Sequence, residues 1–140
     1  MEKIEKLTKI FKREKIDGYI IPKNDEFFGE YIPYYNDRLN FISGFTGSYG
    51  FALVLKDKNY LFVDGRYTLQ ANNQSGKSFK IVTIPNKMPS DILKGKKLSI
   101  GYDPNLFTEK SLFIFFGKNK YKLKPIFQNL IYRCILEHIH

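Results

Sequence analysis

The chain has few of the residues that build reactive sites. It contains one cysteine, Cys134, and two histidines, His138 and His140, in 140 residues. A single cysteine excludes an internal disulfide and is compatible with a reducing compartment. Catalytic zinc and manganese sites need several ordered His, Asp, Glu or Cys ligands, and two histidines at the very end of the chain do not supply them. We therefore expect no metal site in this chain, and we interpret Cys134, in an apolar stretch without a histidine partner, as a buried structural thiol.

Long apolar runs and arginine are also scarce. No run approaches the roughly 20 residues that cross a bilayer, and the charged stretch 1–15 is unlike a signal peptide, so we predict a soluble cytoplasmic protein without a membrane partner. The net charge is +9, but it comes from 19 lysines and only 4 arginines. The lysines are spread along the chain, and Lys, Asn, Ile, Phe and Tyr are all residues that A/T-rich codons encode. The charge therefore does not predict specific nucleic-acid binding.

The spacing of apolar residues predicts a single α/β domain. Alternating or continuous apolar runs predict strands over 19–21, 51–55, 60–63, 79–84, 97–102 and 121–127. Three- and four-residue spacing, with capping residues, predicts helices over 2–15, 37–45, 66–73, 88–93 and 108–117, and a helical turn over 26–31. This order is typical of a three-layer α/β domain, with a mixed sheet of about five to six strands flanked by helices.

A glycine-rich loop, "GFTGSYG" at 44–50, follows the second predicted helix. It is not a phosphate-binding loop, because no Lys-Ser/Thr pair follows it and no strand leads into it. We interpret Gly44, Gly47 and Gly50 as positions where the chain needs unusual backbone angles or close packing. Ser43 and Ser48 have no histidine placed to act as their base, so nucleophilic catalysis is not predicted either.

A second conspicuous group, Asp64-Gly65-Arg66, closes the hairpin formed by the second and third predicted strands. Asp64 is placed to accept hydrogen bonds from the free amides of the helix that follows. Arg66 has two interpretations, an ion pair with a nearby carboxylate or a contact with a ligand. The same two interpretations apply to Arg38. Nothing in the sequence assembles a nucleophile, a base and an oxyanion donor, so the domain is not expected to be a catalyst by itself.

Five blocks of the sequence resemble one known family in order and spacing. They are "DGYIIP" (17–22), "EYIPYYNDRLNFISGFTGSYG" (30–50), "LFVDGRYTLQA" (61–71), "IGYDPNLFT" (100–108) and "NLI" (129–131). Together they resemble the N-terminal domain of Xaa-Pro aminopeptidases, in the wider family that includes prolidase and creatinase. The resemblance implies a creatinase N-terminal-like fold with a ribonuclease H-like motif, over residues 1–132. Residues 133–140 would then begin a linker to the catalytic domain or belong to a vector-encoded tail.

In that family a C-terminal "pita-bread" domain carries the chemistry. The resemblance implies that two metal ions, usually manganese, are held there and not in this chain, and that the parent enzyme releases the N-terminal residue before proline. It further implies that this domain shapes access to the cleft for peptide substrates and contributes to a homodimer. Arg38, Tyr49 and Arg66 are the candidates for residues that face the substrate. The sequence departs from many relatives at Leu39 and Asn40, and at Tyr49, where a smaller residue is usual.

Two alternatives stay open at this point. The chain could be an interaction module that has lost its peptidase domain, or a basic nucleic-acid binder. Consecutive aromatic residues cannot all face one core, so we also predict an apolar patch that a partner domain covers. Its candidate residues, besides the C-terminal tail, are Phe113, Phe115, Phe116, Tyr121 and Ile131.

Overall fold

The computed structural model describes residues 2–23, 37–117 and 122–139. The helices are α1 (Glu2–Glu14), α2 (Arg38–Ser43), α3 (Thr68–Ser75), α4 (Pro89–Leu93), α5 (Glu109–Phe116) and α6 (Leu130–Ile139). The strands are β1 (Gly18–Pro22), β2 (Phe51–Leu55), β3 (Asn59–Asp64), β4 (Lys80–Ile84), β5 (Ser99–Tyr102) and β6 (Lys122–Pro125). Within these segments no helix has the length and apolarity of a membrane-spanning helix. The helical turn predicted over 26–31 lies outside the described residues.

The six strands form one mixed sheet in the order β4-β3-β2-β1-β5-β6. β2 is antiparallel to both β1 and β3, whereas the pairs β1–β5, β3–β4 and β5–β6 are parallel. Five of the six described strands therefore run in one direction. All six predicted strands are confirmed, and so is the predicted single α/β domain with a mixed sheet flanked by helices.

Apolar side chains cover both faces of the central strands, which is why these strands read as nearly continuous apolar runs. One face packs against α1, α2, α3 and α6, and its strand residues are Tyr19, Ile21, Ala52, Val54, Leu61 and Val63. The other face packs against α4 and α5, and its strand residues include Ile20, Phe51, Leu53, Phe62 and Ile100. The result is a three-layer domain with two separate cores, one on each side of the sheet.

Helix α5 is capped at both ends. Thr108 and Ser111 cap the helix reciprocally, since Thr108 Oγ1 accepts from the Ser111 N–H at 3.0 Å and Ser111 Oγ accepts from the Thr108 N–H at 2.8 Å. Gly117, with φ +70°, ends it. Phe115 and Phe116 of this helix are buried in the core, whereas Phe113 is exposed.

Most of the residues predicted to form an exposed apolar patch are not exposed, so that prediction is largely wrong. Phe115, Phe116 and Ile131 are buried inside the domain, because the helices that carry them pack on the sheet. Phe113 is exposed as predicted, and its neighbour Ile114 is also exposed. Tyr121 lies outside the described residues.

The C-terminal helix α6 was not predicted. Asn129 caps it, with Oδ1 accepting from the N–H groups of Ile131 at 2.9 Å and Tyr132 at 3.1 Å, and Asn129 Nδ2 donates to buried Asp103 at 2.7 Å. Cys134, a residue of α6, is buried in the core, as its apolar surroundings predicted. The predicted division after residue 132 falls inside this helix, and the end of the domain stays a prediction.

Tyr19 links β1 to α6 and gives the fold a testable pH dependence. Its hydroxyl oxygen accepts from the Leu130 N–H at 3.3 Å, and burial raises the pKa of Tyr19 well above its usual value of 10.0. Above about pH 10 the unfolded chain releases this proton while the folded chain keeps it. The free energy of unfolding should then fall with rising pH, by at most about 1.4 kcal/mol per pH unit from this group.

We expect the Tyr19→Phe variant to lose stability less steeply between pH 10 and 11.5 than the unmodified chain. Urea unfolding at four pH values in that range measures the slope. Tyr132→Phe, on the exposed side of α6, is the matched control and should keep the original slope. Identical slopes for the unmodified chain and Tyr19→Phe would contradict the prediction.

Candidate functional site

The sheet brings the predicted site residues to one edge. β1, β3, β4, β5 and β6 end at this edge and β2 begins there, so we call it the carboxyl edge. The connections α2 to β2 and β3 to α3 both pass over it. In open α/β sheets, ligands bind in crevices outside the carboxyl ends of the strands. The carboxyl edge is therefore the candidate functional surface of the domain.

The glycines of loop 44–50 lie at close contacts and at one left-handed turn. Gly44 ends α2 with φ +78°, and its N–H donates to the Asn40 carbonyl at 2.8 Å. A Cβ on Gly47 would lie 2.2 Å from ring atom Cζ of Phe45, a side chain that is fully buried beneath the loop. Gly50 is buried at the start of β2, and its carbonyl accepts from the Lys23 N–H at 3.1 Å. A structural role for these glycines stays a prediction.

Polar side chains from α3 hold this loop from the outside. Thr46 Oγ1 accepts from Gln70 Nε2 at 3.0 Å and from Gln74 Nε2 at 2.8 Å, while the Thr46 N–H donates to Gln74 Oε1 at 3.0 Å. Ser48 and Tyr67 share a hydroxyl–hydroxyl hydrogen bond of 2.5 Å. Sequence reasoning missed this group. The spacing of residues 67, 70 and 74 on one helical face was the one available signal, and it does not indicate what that face touches.

Asp64 and Arg66 form an ion pair, which is one of the two interpretations of Arg66 from the sequence. Asp64 Oδ1 accepts from the Arg66 N–H at 2.8 Å, which caps the 3₁₀ turn Gly65–Tyr67, and from Arg66 Nε at 3.1 Å. These hydrogen bonds lower the pKa of Asp64. Arg66 is exposed and its guanidinium lies over the ring of Tyr67, 5.4 Å from the centroid. A contact between Arg66 and a ligand stays a prediction.

The other two substrate-facing candidates differ in exposure. Tyr49 is 47% exposed and packs edge-on against Phe51, with the ring centroids 6.3 Å apart. Partial burial raises its pKa, so its phenol is neutral at physiological pH. Arg38 is the first residue of α2 and is only 7% exposed. The carboxyl edge thus presents Tyr49 and Arg66 to solvent, whereas Arg38 lies inside the domain.

Beside Arg38, a largely buried ion pair fixes the start of α2. Lys23 Nζ lies 2.6 Å from Asp37 Oδ2, and the two side chains are 13% and 12% exposed. Asp37 also caps α2, because its Oδ1 accepts from the Asn40 N–H at 3.2 Å. This pair ties the end of β1 to the helix that leads into the glycine-rich loop.

The side chains at this edge are suited to forming hydrogen bonds and ring contacts. Among the described residues the edge offers hydroxyl and amide groups, the exposed guanidinium of Arg66 and the half-exposed phenol of Tyr49. Across residues 2–23, 37–117 and 122–139 there is no group of three or more His, Cys, Asp and Glu residues that could hold a metal ion. A surface of this kind can form hydrogen bonds with a peptide or with another domain.

The fold is an α/β/α domain that carries polar side chains at its carboxyl edge. The chain belongs to the Creatinase/Prolidase N-terminal domain family, whose sequence model matches residues 3–113. It is 37% identical over 111 residues to the probable Xaa-Pro aminopeptidase P of Coprinopsis cinerea, an alignment that covers 74% of this chain and 18% of that protein. The chain thus spans about a fifth of the length of the curated relatives it matches.

Two solved structures show the same fold. The X-prolyl aminopeptidase of Caenorhabditis elegans, described as a cytosolic enzyme with a di-nuclear active site, matches with a TM-score of 0.82 and 31% identity, over 94% of this chain and 25% of that one. The N-terminal domain of the cytoplasmic peptidase PepQ from Mycobacterium tuberculosis matches with a TM-score of 0.72 and 18% identity, over 95% of this chain and 98% of that one. The second structure shows that a domain with this fold can be obtained by itself.

Proposed function

We propose that this chain is the non-catalytic N-terminal domain of a metal-dependent Xaa-Pro aminopeptidase, which releases the N-terminal residue that precedes proline. The observation that carries the proposal is the family match over residues 3–113. The chain covers only a small part of its full-length relatives, for example 18% of the Coprinopsis cinerea protein. The di-nuclear active site of the Caenorhabditis elegans enzyme supports a parent protein with two metal ions. We assign those ions, as manganese, to a C-terminal catalytic domain beyond this chain, and the whole protein to the cytoplasm.

We further propose that the carboxyl edge faces the catalytic cleft and limits access to it. Exposed Tyr49 and Arg66 support this role, because an aromatic ring and a guanidinium can contact the part of a peptide that lies beyond the scissile bond. Arg38 is buried behind this edge, so its role would be to hold the edge in place and not to contact the peptide. Exposed apolar side chains elsewhere, on α5 and α6, favour a contribution of the domain to a homodimer. They are Phe113, Ile114, Tyr132 and Leu136.

The first test compares this chain with a longer protein that continues into the predicted catalytic domain. With Xaa-Pro peptides and Mn²⁺, the longer protein should release the first residue and the chain alone should not. Turnover by the purified chain above background would contradict the proposal. A reading frame downstream of residue 140 that encodes no metal-ligand residues would replace it with the alternative, an interaction module.

The cleft role is tested in the longer protein with Tyr49→Ala. We expect KM for Xaa-Pro peptides of three or more residues to change about three- to tenfold with little change in kcat, because the ring would contact bound substrate and not the reacting atoms. Lys58→Ala, in the β2–β3 turn at the opposite edge of the sheet, is the matched control and should leave both constants unchanged. Equal kinetics for the two variants would refute the cleft role.

A further inference from the structure

The hydrogen bonds that join the glycine-rich loop to α3 and the turn before it form two sets, one at Thr46 and one at Ser48, which together we call the loop brace. Its loop members are Thr46 and Ser48, and its members on α3 and the turn before it are Tyr67, Gln70 and Gln74. Gln70 and Gln74 lie one turn apart on α3, and Tyr67 lies in the 3₁₀ turn that leads into it. The helix holds segment 46–48 at Thr46, and the turn holds it at Ser48.

The contact between Thr46 and Gln74 is reciprocal. The Thr46 backbone N–H donates to Gln74 Oε1 at 3.0 Å, and Gln74 Nε2 donates to Thr46 Oγ1 at 2.8 Å. Two bonds between one side-chain amide and one residue fix both the distance and the orientation of the loop backbone. Gln70 adds a second donor to the same hydroxyl at 3.0 Å.

The brace contributes little to the stability of the fold, because these atoms are exposed. When an exposed hydrogen bond is lost, water replaces the missing partner, so the net change in stability is small. The same bonds restrict the conformation of segment 46–48. Tyr49 follows Ser48 directly, so a change in that conformation would move the backbone that carries the Tyr49 ring.

We propose that Thr46, Gln70 and Gln74 are positioning residues, which hold loop 46–49 so that Tyr49 is presented at the carboxyl edge in a single orientation for peptide binding. This inference rests on the proposed function, since it assumes that the carboxyl edge faces the substrate. It assigns to the brace an effect on peptide affinity and not on the bond-breaking step.

The first experiment measures amide hydrogen exchange in this chain. Gln74→Ala and Thr46→Val should raise exchange of the amide of residue 46, whose N–H donates to Gln74 Oε1, at least about tenfold, with the midpoint of thermal unfolding unchanged within about 2 °C. Thr46→Ser keeps the hydroxyl and should keep slow exchange. Asn73→Ala removes an exposed amide side chain from the same helix outside the brace, and it should behave like the unmodified chain.

The second experiment measures peptide kinetics of the same variants in the longer protein. Gln74→Ala and Thr46→Val should raise KM about three- to tenfold with kcat unchanged within twofold, and Thr46→Ser should restore KM. This division between KM and kcat, with rescue by serine, is a result that a purely structural role would not produce.

The outcomes separate this inference from the proposed function. Unchanged exchange in Gln74→Ala overturns the inference whatever the enzyme does. Faster exchange with unchanged KM, where Tyr49→Ala does change KM, overturns the inference and leaves the proposed function intact. Faster exchange with no effect of any of these variants on KM overturns both.

Discussion

Replacing Asp37 with alanine is expected to lower the free energy of unfolding by about 3 kcal/mol, because the change removes a buried ion pair and a helix cap together. Lys23 Nζ, 2.6 Å from Asp37 Oδ2, would keep its charge in a site where its side chain is only 13% exposed. The Asn40 N–H would also lose its acceptor. Urea denaturation at pH 7 measures the change.

Asp64→Ala is the matched control for this prediction. Asp64 also caps a helical turn and also pairs with a cation, Arg66, but this pair lies in solvent. Water and salt screen an exposed pair, so its loss should change stability far less. Similar losses for Asp37→Ala and Asp64→Ala would show that burial of the Lys23–Asp37 pair is not what stabilises the start of α2.

Much of the architecture was predictable, because local signals and tertiary packing agree over most of the chain. The hairpin of β2 and β3 combines two apolar runs with a short polar turn at 56–58, and α5 carries a capping residue at Thr108 and a glycine at Gly117. Asp64 was likewise expected to cap the turn after β3, and its own side chain accepts from Arg66 two residues away. Features of this kind are encoded within a few residues.

The contacts that define the candidate site are encoded differently. Thr46 meets Gln74 across 28 positions, and Lys23 meets Asp37 across 14. A polar residue in the sequence does not show which distant polar residue it will meet, because many pairings satisfy the same donors and acceptors. The cap of α6 is local by contrast, since Asn129 Oδ1 accepts from the N–H groups of Ile131 and Tyr132, so Asn129 followed by an apolar run was a signal that could have predicted this helix.

The second large effect concerns the aromatic ring beneath the glycine-rich loop. Phe45→Ala is expected to lower the free energy of unfolding by about 4 kcal/mol, the usual cost of truncating a fully buried phenylalanine. Phe45 is 0% exposed and meets Tyr67 edge-on, with the ring centroids 6.0 Å apart. Phe127→Ala, which truncates a ring that is 79% exposed, is the control and should change stability little.

A double-mutant cycle with Gly47 tests whether the ring determines the path of the loop. Gly47→Ala alone should cost about 2 kcal/mol, because the new methyl group would overlap the ring of Phe45. The φ of Gly47 lies outside the left-handed region, so alanine adds no backbone strain there. In the Phe45→Ala background the overlap is absent, and Gly47→Ala should then be nearly neutral, which gives a coupling free energy of more than about 1 kcal/mol. Additive effects would mean that Gly47 is required for another reason, and that the buried ring is not what sets the position of the braced loop above it.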